Sequence, residues 1–124
     1  MSSVLGIHHV SVLVDDTKRA LKFYVGTLGL TVDDTRPVMA FAGAWLRVGE
    51  AAIHLLELPD SGVAGTRPEH AGRDRHTALA LPDLDSVIKR LDLDGIAYSR
   101  SQSGRRAIFC RDPDGNGIEL IEVT

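Results

Sequence analysis

The chain repeats itself once, and that repeat limits the fold more than any other feature. Residues 7–14 (IHHVSVLV) alternate after two histidines and read as a strand. Asp15-Asp16-Thr17 then offers helix N-cap residues, and residues 18–27 (KRALKFYVGT) read as a helix ending near Leu28-Gly29-Leu30. The same order returns further on. Residues 76–81 (HTALAL) read as a strand, Asp83 or Asp85 as a cap, and Leu84, Val87, Ile88 and Leu91 as one helix face, with a stop at Asp94-Gly95-Ile96. His9 to Gly29 spans 20 positions and His76 to Gly95 spans 19. A chain built this way folds as two copies of one supersecondary unit.

The second halves repeat as well. Residues 44–48 and 107–111 read as strands, each followed by a turn; the second turn, 112–117 (DPDGNG), is dense in residues that tolerate turn dihedrals. Final strands follow at 52–58 (AIHLLEL) and 117–123 (GIELIEV). Between the copies, residues 59–75 hold two prolines, three glycines and no apolar periodicity, and read as a linker. The expected organisation is a single α+β domain over 1–124. It contains two βαβββ modules, about 1–60 and about 74–124, each too small to fold separately.

Composition bounds the function. With 124 residues, 44% of them hydrophobic, the chain can bury one core. A net charge of −3 is no electrostatic footprint for nucleic acid. The longest uncharged apolar run, 38–46, is far short of the ~20 residues of a membrane helix. The N-terminal residues lack a basic region followed by an apolar stretch, and Cys110 is the single cysteine, so a cytoplasmic protein is expected.

Polar residues fall at equivalent points of the repeat. His9 and His76 open the first strands, while His54 and Glu119 sit inside the last ones, at separations of 45 and 43. Side chains alternate along a strand. Val10, Val12 and Val14 therefore take the face toward the helix, leaving His9, Ser11 and Leu13 on the other. Likewise Thr77, Leu79 and Leu81 oppose His76, Ala78 and Ala80, and a histidine beside alanines suggests an open cavity. His54 shares a face with Leu56, and Glu119 with Ile121. Three imidazoles and a carboxylate suit a divalent Fe, Mn, Ni, Co or Zn ion. A glutamate flanked by apolar residues in a strand is hard to explain otherwise, because burying an unpaired carboxylate costs several kcal/mol.

At these residues the chain resembles the vicinal oxygen chelate superfamily, the glyoxalase/bleomycin resistance protein/extradiol dioxygenase group. The matching motifs are His8-His9-Val10, Leu21-Lys22-Phe23-Tyr24 with Leu28-Gly29-Leu30, and Arg111-Asp112-Pro113-Asp114-Gly115-Asn116 leading into Ile118-Glu119-Leu120. The resemblance implies paired modules forming a cupped mixed sheet with helices outside, around one metal held at His9, His54, His76 and Glu119. It also implies a homodimer, with the two modules of a cup drawn from one chain or from two. Where lactoylglutathione lyases place Glu or Gln, this chain has His54.

The expected function is a metal-dependent, glyoxalase-like enzyme of the lyase or isomerase type. It would act on a small oxygen-chelating substrate, with Glu119 accepting a proton. An Fe(II) dioxygenase using His9, His76 and Glu119 is the alternative enzyme, and an antibiotic- or metabolite-binding resistance protein the alternative of another class. Other residues receive plainer readings. His8 falls on the Val10 face or at a strand end, His70 is solvated, and Cys110 is a packed thiol. Tyr24 belongs to the core, as does Trp45 unless it floors a pocket. Arg36, Arg47, Arg73, Arg75, Arg105 and Arg106 are mostly solvated, though any could meet an anionic substrate. Residues 31–43 and 99–106 are candidate lids.

Overall fold

The computed structural model describes residues 3–60 and 67–123. The first module runs β1 (His9–Val14), helix α1 (Thr17–Leu21), β2 (Thr31–Asp33), β3 (Gly43–Val48) and β4 (Ala51–Glu57). The second runs β5 (His76–Leu81), α2 (Leu84–Leu93), β6 (Tyr98–Arg100), β7 (Ala107–Arg111) and β8 (Gly117–Glu122). Each forms a four-stranded mixed sheet, in the orders β1-β4-β3-β2 and β5-β8-β7-β6. The repeat is thus two βαβββ units in the same topology. In each, the helix carries the chain from the first strand to the far side of the sheet, and the last strand returns parallel to the first.

The two modules share their supports. Asp16 and Asp83 cap the helices, accepting from the amides of Lys18 and of Ser86. Glu57 at the end of β4 accepts from the Thr17 amide at 2.8 Å, and Glu122 at the end of β8 accepts from the Leu84 amide at 2.9 Å. Each final strand therefore satisfies a free N–H in the first turn of its own helix, fixing helix against sheet. Both helices stop at a glycine with positive φ, Gly29 at 79° and Gly95 at 69°.

The helix expected over 18–27 is α-helical only to Leu21. Its continuation, Lys22–Thr27, is π-helical, with the Leu28 amide reaching back to the Phe23 carbonyl at 2.9 Å. Buried Ala20, Phe23, Tyr24 and Thr27 still line one face. Alternating patterns on the strands hold: Val14 and Leu79 are buried, while His9, Ser11, His76 and Ala78 are exposed. Buried residues of both modules, among them Val14, Phe23, Leu46, Leu84, Leu91 and Ile108, form one hydrophobic cluster.

Short strands β2 and β6 lie in or at the edge of the two candidate lids, 31–43 and 99–106. Three residues carry too little pattern to register, and hairpin pairing with β3 and β7 forms them. The linker also has structure. Ala71–Arg73 forms a 3-10 turn, and Arg111 ties the segment down by donating to Asp74 and to the Pro68 carbonyl. No helix among the described residues is long and apolar enough to cross a membrane.

Candidate functional site

Strand register places the four candidate ligands in two equivalent pairs. Ser11 lies beside His54 in the β1–β4 ladder, and Ala78 lies beside Glu119 in the β5–β8 ladder. His9 and His76 each stand two residues earlier, on the same face as these partners. His9 and His54 consequently stack, with ring centroids 4.0 Å apart. His76 Nε2 comes within 3.1 Å of Glu119 Oε1. Among the described residues, no three His, Cys, Asp or Glu side chains gather as a metal site within the chain. The fold supplies two candidate half-sites.

Each pair has an aromatic neighbour set by the adjoining hairpin. Trp45 is directly opposite His54 in the β3–β4 ladder and stacks on it at 4.5 Å. Phe109 is directly opposite Glu119 in the β7–β8 ladder and meets His76 edge-on at 5.1 Å. Trp45 is half-buried and packs on His54 from the neighbouring strand. Phe109 was not singled out from sequence, although its position opposite Glu119 matches that of Trp45 opposite His54.

Protonation and charge follow from these contacts. Burial, then the neighbouring His9 and His8, hold the His54 imidazole below the usual histidine range, which keeps its lone pair available. Glu119 is buried, with only 4% of its side chain exposed, and its second oxygen accepts from Arg105 Nη2 at 3.4 Å. Three imidazoles with one carboxylate fit a borderline divalent cation better than Mg or Ca, which favour all-oxygen shells.

Other residues sort themselves by contact. His8 precedes β1, is exposed, and places Nδ1 2.8 Å from Nδ1 of His9, consistent with a strand-end position. His70 is not solvated as expected from a linker position. It is half-buried, bonded through Nδ1 to Ser99 Oγ at 2.6 Å and edge-on to Phe109 at 4.9 Å. Gly72 makes room for it, since a β-carbon there would lie 2.8 Å from His70 Nε2. No local sequence signal announces this packing. Cys110 is buried, and burial, followed by Asp112, pushes its thiol up to about 12, so it is no nucleophile at neutral pH. Arg106 is engaged by Glu122 and Asp85.

Comparison with known proteins identifies the family and the fold. The model of the Glyoxalase/Bleomycin resistance protein/Dioxygenase superfamily matches residues 6–120. Glyoxylase I 4 of Arabidopsis thaliana is 30% identical, the match covering 92% of this chain and 68% of the relative. Two solved structures share the fold. One is TnmS3, an antibiotic binding protein from Streptomyces sp. CB03234, with TM-score 0.76 and 23% identity over the whole of both chains. The other is a variant of the fosfomycin resistance protein FosX from Listeria monocytogenes, complexed with Mn(II) and 1S,2S-dihydroxypropylphosphonic acid. It has TM-score 0.73 and 17% identity, over 98% of this chain and 94% of that one.

Proposed function

Because this chain belongs to the glyoxalase/bleomycin resistance protein/dioxygenase superfamily, we propose that it is a divalent-metal-dependent enzyme that moves a proton on a small oxygen-chelating substrate. The observation that carries this reading is the equivalent placement of His9 with His54 and of His76 with Glu119. A structural role for one such residue needs no counterpart, but four donors at matching register positions do. We assign the ion to all four side chains, the second pair coming from another copy of the chain. Two identical chains then complete two sites, each from the first half-site of one chain and the second half-site of the other. Leu5 and Ile7, exposed just ahead of His9, are apolar surface for that contact.

The bound ion would serve as a Lewis acid toward vicinal substrate oxygens. The chain's own residues do the rest. Trp45 holds His54 flat, and Phe109 fixes the edge of His76. Glu119 is the one carboxylate of the set and accepts the proton at Oε1 or Oε2. Its burial strengthens that role by removing competing water.

Metal content tests the reading. Protein purified without chelator should carry about one divalent ion per chain; His76→Ala or Glu119→Ala should lose most of it, and His8→Ala should lose little. Loss of a direct ligand should exceed the ~10–100-fold typical of residues behind the ligands. Full occupancy in the His76 and Glu119 variants would sink the assignment.

A further inference from the structure

We infer that Arg105 is the specificity-determining residue of this site and that it selects substrates bearing an oxyanion, a carboxylate or a phosphonate or phosphate group. The inference rests on the metal-dependent reading above. Arg105 stands near the end of the β6–β7 return, two residues before β7, where Ser103 organises the turn. The Ser103 hydroxyl accepts from the Arg105 amide at 3.4 Å and from its Nε at 3.1 Å. The guanidinium then reaches Glu119 through Nη2, while 60% of the side chain remains exposed. Nη1 has no hydrogen-bond partner among the described residues.

Its neighbour shows what a purely structural arginine does here. Arg106 donates through Nε to Glu122 at 2.9 Å and through Nη2 to Asp85 at 3.0 Å, so two carboxylates balance it. Arg105 has one carboxylate, and that carboxylate is the proposed proton acceptor and ligand.

Charge balance gives the substrate class. A divalent ion held by three imidazole ligands and one carboxylate ligand would carry one net positive charge, and Arg105 adds a second. A site of this sign favours an anion. A planar fork with free N–H donors matches carboxylate and phosphonate oxygens in pairs. In the free protein the guanidinium rests against Glu119. An incoming oxyanion competes for it, and its transfer to the substrate leaves a Glu119 oxygen free to accept the proton.

Two titrations test this, one of them independent of metal. In chelator-treated protein, Glu119→Gln removes the competing carboxylate, so inorganic phosphate should bind about 10-fold more tightly than to wild type. The double variant Arg105→Gln/Glu119→Gln should lose that gain. In Mn(II)-loaded protein, Arg105→Gln should weaken phosphonoformate about 10-fold or more. It should leave both Mn(II) content and binding of acetohydroxamate, a chelator with no further anionic group, unchanged. Arg105→Lys should recover part of the loss. Equal phosphate binding by the single and double Glu119 variants, or equal weakening of both chelators, overturns the role of Arg105. Failure of wild type to take up Mn(II), with the phosphate result as expected, overturns the metal reading and keeps Arg105 as an anion-binding residue.

Discussion

The hydroxyl of Tyr24 donates a 2.7 Å hydrogen bond to Oδ2 of Asp112, joining the π-helical turn of the first module to the loop that opens the last strand of the second. Asp112 is buried and accepts more besides: the amides of Asp114 and Asn116 at Oδ1, and Asn116 Nδ2 at Oδ2. Asn116 in turn donates to the carbonyl of Leu13 in β1. One carboxylate therefore shapes the turn before Glu119 and holds the two modules together. Burial, reinforced by Asp112, raises the Tyr24 phenol, so it stays a donor at every physiological pH.

Tyr24→Phe should cost about 1.5–3 kcal/mol, the range for a hydrogen bond to a charged group. Asp112→Ala should cost more, since it leaves several buried donors unpaired. Urea unfolding measures both. A Tyr24→Phe protein as stable as wild type would show that this bond does not couple the modules.

Trp45 is the chain's single tryptophan, and it stacks on His54. Adding Ni(II) or Mn(II) to metal-free protein should therefore change Trp45 emission, with the change saturating at about one ion per chain. His54→Ala should abolish the change. An identical titration curve in that variant would remove His54 from the ligand set.

If sites form between chains, two defective proteins should repair each other. A His9→Ala/His54→Ala chain mixed with a His76→Ala/Glu119→Ala chain should regain one metal site in each mixed dimer. Native mass spectrometry reads this directly. A site contained within one chain would give no recovery.

Gly43 starts β3 where the strands approach closely, and a β-carbon there would run into the carbonyl oxygen of Leu55. Gly43→Ala should destabilise by about 1–3 kcal/mol or more, as overpacking does, because backbone rather than a flexible side chain must yield. Thermal unfolding within error of wild type would contradict the close approach.

Asp94 gives an acid-side prediction. The Thr27 hydroxyl, followed by Arg90, holds its carboxyl below the ordinary value of 3.8. Its folded form thus binds a proton less readily than its unfolded form. The stability it contributes is present above the unfolded pKa and is lost as pH falls through the folded one. Asp94→Asn should be less stable than wild type at neutral pH, and the two should converge in urea midpoint as pH falls from about 5 to about 2. A constant gap across that range would assign the effect to packing instead.

Sequence alone determined which residues can share a face. Period two in the strands put His9, Ser11 and Leu13 together, and the spacing from His76 to Gly95 repeated that from His9 to Gly29. These are local properties of the backbone, legible wherever alternation is clean. The capping aspartates and terminal glycines were legible for the same reason: each acts within one turn of helix. The long-range geometry belonged to the tertiary structure. Register across ladders set Trp45 opposite His54 and Phe109 opposite Glu119, and a one-residue slip would have turned either away. His70 packs on Phe109 through a segment with no periodicity, and Arg105 reaches Glu119 from a turn held by Ser103. The α-to-π change after Leu21 likewise carries no apolar signature, since Ala20, Phe23, Tyr24 and Thr27 fit one buried face either way. Above all, the tertiary structure decided that the two pairs stay apart within the chain, because each βαβββ module closes its own four-stranded sheet.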